Sequence, residues 1–282
     1  TDAPLKALTV FAMPMILGSF FQQVYNMADS IIVGQYVGSS ALAAVGACAA
    51  LTNVFICVAL GAGIGAGVLV SRYFGARDYS KMKTIVSTSL ISFMVLSILL
   101  GVFGLIFSRS MMTLLQTPAD ILDEAVLYLR VYFAGFPFLF MYNILSTMFN
   151  SIGESKIPLG LLIFSSVLNI VMDLWMVAGL GLGVFGAALA TLIAQGISAV
   201  FSLLIFLWRM RQYKGRFDWF DRHELHFMLR IAVPSVLQQS TVSIGMMIVQ
   251  AVVNPFGTQA LAGYSTTDFG LVIAFPVLTI TL

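Results

Sequence analysis

Two acids stand inside apolar stretches long enough to cross a membrane, and both have polar neighbours at helical spacing. Asp29 lies within PMILGSFFQQVYNMADSIIVGQYVG, residues 14–38, and Gln22, Asn26 and Asp29 fall at i, i+4 and i+7 on one face of a helix. Asp173 follows Asn169 by one turn in a later apolar stretch. An ionised Asp at the centre of a spanning helix costs roughly 2.5–3.5 kcal/mol on insertion scales, so such residues usually serve function. Buried apart and unpaired, the two would cost about 5–7 kcal/mol, whereas one shared cation or one shared proton removes most of that. Sodium takes oxygen ligands, which Asn169 and Thr191 can supply. Taken alone, Thr191 bonds its own helix backbone as readily. The plain alternative for Asp29 is a helix end near Gly34, with its carboxylate among lipid headgroups.

The elements that must hold these acids are membrane helices. Sixty per cent of the residues are hydrophobic and nine per cent charged, with a mean hydropathy of +0.99, far outside the soluble range. Apolar runs of this length fit helices rather than the alternating strands of a barrel. The pattern predicts an all-α polytopic membrane protein with eight spans: residues 8–33, 42–70, 85–107, 124–150, 158–179, 185–208, 227–254 and 260 to the end. The first run is too long for a cleaved signal peptide and carries an acid where the signal core is apolar. Pro14 removes a backbone hydrogen bond from the first helix and is its expected bend. Tyr128, Tyr132 and Asn150, all in the fourth span, join Gln22 and Asn26 as expected cavity lining, although tyrosines near a helix end also form interfacial belts. In the second span, Gly61 with Gly65 and Gly63 with Gly67 allow close helix approach. No strand precedes that glycine run and no Gly-Lys-Ser/Thr follows it, so it is no nucleotide loop. Cys48 and Cys57 lie about 13 Å apart along one helix, too far for a disulfide.

Charge placement orients the chain. With the N-terminus in the cytoplasm, Lys6, Arg72, Arg77, Lys81, Lys83, Lys156, Arg209, Arg211, Lys214, Arg216, Arg222 and Arg230 all fall on the cytoplasmic side. Arg109 lies opposite, and Arg130 within the fourth span. That asymmetry predicts a multi-pass protein of the cell (inner) membrane with its N-terminus inside. The basic loops are topology signals and imply no nucleic-acid partner; the expected state is a monomer in the bilayer. Residues 209–226 read as a cytoplasmic linker whose aromatic and basic residues suggest an amphipathic helix on the membrane surface. HELH in this stretch lacks the i, i+4 histidine spacing of a zinc protease, and no nucleophile with a base appears in the helices, so an enzyme is not expected.

The stretch from Pro234, PSVLQQSTVSIGMMIVQAVVNPFGTQALAGYS, repeats the stretch from Pro14. Proline meets proline, and with one deletion Gly257 falls on Gly38. Six spans separate the copies, so both cross the membrane in the same direction, as in transporters built from two parallel bundles. The expected division is a six-helix lobe at 1–208, the linker at 209–226, and the start of a second lobe at 227–282. The run ends inside its eighth span, which suggests a twelve-helix whole. The second copy has Gln238, Gln239 and Gln250 where the first has Asp29, which assigns the charged site to the first lobe; Asp268 is a further acid in the eighth span.

Pro14 with Asp29, ALAAVG at 41–46, GESKIPLGLLIFSSVLNIVMD at 153–173 and GVFGAALATLIAQ at 183–195 together resemble the multidrug and toxic compound extrusion (MATE) transporters. The resemblance covers the whole chain. It implies two six-helix lobes around a central cavity, exporting organic cations or other amphipathic drugs against inward flow of Na+ or H+. The branch it resembles binds its coupling cation in the N-lobe, at positions matching Asp29, Asn169, Asp173 and Thr191, with Gln22 in the cavity. No cofactor beyond the coupling ion is implied. The rival readings are a flippase of lipid-linked precursors, which would share the bundle and repeat but commonly needs a cationic cavity, and a receptor or scaffold that transports nothing.

Overall fold

The computed structural model describes residues 4–213, 215, 218–257 and 263. Every long apolar run in that range is helical: α1 (Pro4–Tyr36), α2 (Ser39–Gly75), α3 (Tyr79–Leu114), α4 (Leu122–Ala134), α5 (Phe136–Ser151), α6 (Lys156–Asp173), α7 (Gly183–Met210) and α8 (Arg222–Val253). The eighth predicted span and Asp268 lie outside the described residues. At 33 residues α1 is about 50 Å long, more than the roughly 30 Å of a bilayer core. Large apolar side chains such as Leu99, Val102 and Ile106 on α3 stay exposed, which in a bilayer is contact with lipid rather than with water.

α2 is the central post, and its glycines divide between two neighbours. A Cβ on Gly63 or Gly67 would press on Thr147 of α5, at 2.9 and 2.7 Å. On the other face, a Cβ on Gly61 would meet Val236, and one on Gly65 would meet Ala232, so α8 lies against α2 backbone to backbone. Phe133, Phe136, Phe140 and Phe55 fill the core at one end of the bundle, and Phe93, Phe149 and Phe206 the core at the other. The α2–α3 turn, with Arg72, Arg77 and Lys81 in and beside it, the start of α8 and the α5–α6 turn gather at this second end: Tyr73 donates to Glu224 and Arg209 pairs with Glu154 at 3.4 Å. It is the basic end.

Two expectations need correction. The predicted fourth span is two helices, α4 and α5, bent by 53° at Gly135. Pro137 has no N–H to give and its ring would strike the carbonyl of Phe133, so the helix restarts, with Phe138 N and Leu139 N both bonding Gly135 O. The linker forms no helix among its described residues 211–213, 215 and 218–221, and α8 starts at Arg222 rather than at 227. Hydroxyls on α3 outcompete a helical ladder there: Asp218 N donates to Thr84 Oγ1 at 3.1 Å and Asp221 N to Thr88 Oγ1 at 3.0 Å, while Ser87 Oγ donates to Trp219 O at 2.7 Å. Asp221 then caps α8 through His223 N at 2.7 Å. α1 is helical on both sides of Pro14.

The repeat has a structural counterpart at its turn. Gly38 has φ +116° and ψ 178°, and Gly257 has φ +94° and ψ 172°. Each follows a helix of 32–33 residues that carries an internal proline, Pro14 or Pro234. Both backbones sit where a side chain would be strained, which explains glycine at both copies.

Candidate functional site

Three helices bring the four predicted ligands together. α1 carries Asp29, α6 ends on Asp173 one turn after Asn169, and α7 carries Thr191. The Asp29 and Asp173 carboxyl groups are immediate neighbours. Asn169 and Asp173 are fully buried. With its amide oriented so that nitrogen faces the acid, Asn169 donates to Asp173 Oδ2 at 2.8 Å and its oxygen accepts from Thr191 Oγ1 and Thr191 N, each at 3.2 Å. Tyr25 donates its hydroxyl to Thr191 Oγ1 at 3.5 Å. The donors thus point one way, from Tyr25 through Thr191 and Asn169 to Asp173. Asp29 Oδ1 and Asp173 Oδ1 are buried and receive no hydrogen bond among the described residues. Two adjacent acceptors with no donor repel each other unless a cation or proton comes between them. The donor set around them is all oxygen, which suits a hard monovalent ion or a proton and not a soft metal.

Asp29 opens onto a cavity of about 720 Å³ walled by α1, α2, α4, α5, α6 and α7. Gln22, Asn26, Tyr128, Tyr132 and Asn150 all line it, as does Pro14. Asn169 and Asp173 stand behind that wall. Gln22 donates to Asn26 at 3.3 Å and Asn26 to Gln23 at 3.4 Å, so the amides of α1 are tied to each other along the wall. Tyr128 and Tyr132 are stacked, 6.4 Å between ring centres. Among the described residues that line the cavity, Asp29 is the one that is charged, and the others are tyrosines, amides, hydroxyls and apolar groups.

Several contributors were not singled out from the sequence. Tyr25 reads as one more aromatic in an apolar run, and only its i−4 spacing from Asp29 marks it. Asn53 of α2 reaches the same cavity, beside Asn143 of α5 and Gln195 of α7, which the sequence marks as polar residues in apolar runs, Gln195 one turn after Thr191. Directly after Asp173 the chain widens into a π-helical turn, Leu174–Gly179. Such turns often sit at functional sites, and no residue type in LWMVAG signals one.

A family model, MatE, matches residues 14–175. The chain belongs to the MatE family. It is 30% identical over 274 residues to the probable multidrug resistance protein YoeA of Bacillus subtilis, covering 93% of this chain and 59% of that protein. To the multidrug export protein MepA of Staphylococcus haemolyticus it is 26% identical over 277 residues, 98% of this chain and 61% of the relative. A crystal structure described as MATE in the bent conformation superposes with a TM-score of 0.80 at 28% identity, over 97% of this chain and 62% of that one. The chain thus spans about three-fifths of the length of the relatives it matches. All of these are transport or resistance proteins, and none is an enzyme.

In this MatE chain, Thr191 is the joint between Tyr25 and Asn169. Thr191→Val keeps the shape and removes the hydroxyl, leaving Tyr25 and Asn169 each short of a buried partner at about 1–3 kcal/mol. The full-length protein is expected to stay folded with a thermal midpoint lowered accordingly, which a thermal melt measures.

Proposed function

We propose that the full-length protein exports amphipathic or cationic small molecules in exchange for Na+ or H+, with Asp29 and Asp173 as the shared coupling site. The observation that carries this is the pairing of Asp173 with Asp29, which is the one charged side chain on the cavity lining among the described residues. Orientation follows the positive-inside rule, which puts the basic end in the cytoplasm and the Gly38 end outside.

Asn169 and Thr191 hold Asp173 in place, so the acids meet a cation without rearranging. Loading places one positive charge between the two carboxyl groups, halves their net negative charge and relieves the repulsion between α1 and α6. The tyrosine faces and amides of the cavity fit an aromatic or aliphatic cation, which would compete for the same negative charge from the Asp29 side. Cation and drug then favour opposite states of one site, and exchange follows from that linkage. A bend of α1 at Pro14 would narrow the cavity on loading. A pyrophosphate lipid is a poor fit, because none of the lining residues is Lys or Arg.

The test is ethidium efflux from proteoliposomes holding the full-length protein, with Na+ and pH gradients imposed separately. One or both gradients should drive efflux above protein-free liposomes. No efflux under either gradient would overturn the reading.

A further inference from the structure

α8 carries two buried amides that have no part in the cation site. Gln250 and Asn254 are 3% and 0% exposed, one turn apart, close to the outer end of α8. Gln250 Nε2 donates to Asn254 Oδ1 at 2.9 Å, and Asn254 Nδ2 donates to the carbonyl of Leu115, the residue that closes α3. That carbonyl is one of the helix-end acceptors with no partner in its own helix. The contact is therefore a cross-link between the first lobe and the first helix of the second.

The rest of the α2–α8 seam is of another kind. At its middle, Gly61 and Gly65 bring the backbones together on Val236 and Ala232, and Cys57 Sγ lies 3.1 Å from Ser243 Oγ. At the basic end α8 is fastened several times over: Tyr73 donates to Glu224 Oε1 at 2.9 Å, Asp221 caps the helix, and the linker is hung on Thr84, Ser87 and Thr88. The outer arm, from Val236 to Asn254, is about 27 Å long at 1.5 Å per residue, and a tilt of about 10° would move its tip by roughly 5 Å. These buried amides are the polar contacts nearest the outer end, where water can take over their hydrogen bonds once they part, so their release costs less than opening the glycine seam.

We propose that Gln250 and Asn254 form an outer latch, and that α8 pivots on its fastened basic end to open the lobes outward when Asn254 lets go of Leu115. The proposal rests on the transporter reading, since a protein with no outward-open state needs no such latch. Asn254 positions α8 and touches neither drug nor coupling cation in this arrangement.

The test uses the full-length protein with a cysteine reporter, Ala251→Cys, on the α8 face packed against the far-end core. Labelling by a membrane-impermeant thiol reagent is measured from outside on intact cells. Asn254→Ala is expected to raise the labelling rate about fivefold or more, the low end of a typical conformational coupling. Asn254→Asp should do the same, because an ionised carboxylate has no N–H for the Leu115 carbonyl. Tyr73→Phe, at the fastened end, should leave the rate within twofold of the parent. Unchanged labelling in both Asn254 variants would overturn the latch, and so would a rise in Asn254→Ala alone, which would assign the effect to lost packing. Ethidium efflux by the Asn254-intact parent is read in parallel. A parent that fails to export while Asn254→Ala still opens would remove the transporter reading and leave the latch standing.

Discussion

Asp29→Asn and Asp173→Asn are each expected to reduce gradient-driven efflux on the order of 100-fold, the upper part of the range for a site-to-site coupling free energy. Either change keeps the shape of the side chain and removes one of the two charges that call for a cation. At position 29 the new amide nitrogen can donate to Asp173, so the pair becomes satisfied within the protein and has no reason to exchange anything. The double variant should be no worse than the weaker single one, because residues acting as a unit do not add. Thermal stability in the absence of Na+ should move the other way and rise, since a buried repulsion has been removed. Loss of transport with higher stability separates a lost function from a damaged fold. Normal efflux in both single variants, or a double variant that multiplies the two losses, would show that the acids do not work as one site.

How far the sequence reads toward this site depends on contrast. Asp29, Asn169 and Asp173 stand out because a charge or an amide is rare in an apolar run, and helical spacing then puts them on defined faces. That reasoning finds the polar face of α1 and all five expected lining residues of the cavity. It does not find Tyr25, since tyrosine fits an apolar run without contrast, nor Asn53, which is a single polar residue on α2 with no partner at helical spacing. The break between α4 and α5 is hidden for a related reason: a membrane helix tolerates proline, so Gly135 and Pro137 inside an apolar run of 27 residues do not by themselves end it. The linker fails differently. Its amphipathic spacing is real, but the partners that decide its backbone are Thr84, Ser87 and Thr88, more than 130 residues earlier in the chain. Local pattern has no access to competition at that distance. The repeat was legible as sequence, and the matched left-handed glycines at 38 and 257 give it a physical cause.

Gly61→Ala should do the greatest structural damage of any glycine-to-alanine change on α2. A Cβ at this position would lie 2.5 Å from Val236 Cγ2 and 2.6 Å from both Cα and N of the same residue. A side-chain tip could rotate away, whereas a backbone can yield only if α8 moves as a body. Overpacking of a close-packed seam costs about 1–3 kcal/mol, and the thermal midpoint of the full-length protein should fall accordingly. Gly160→Ala is the matched control: nothing lies within 4 Å of a Cβ there, and the change improves helix propensity. Cys57 reports the cause, because its Sγ is covered by Gln239 O at 3.4 Å and by Ser243 on α8. Separation of α8 from α2 uncovers it to a membrane-permeant thiol reagent. Cys48, on the same helix but bonded to Ala125 O at 3.3 Å, is covered by α4 and should stay protected. Peptide-level mass spectrometry after labelling distinguishes the two. Labelling of Cys57 alone means that α8 has been pried from the post; labelling of both means general unfolding, and labelling of neither would place the α2–α8 contact elsewhere than at Gly61.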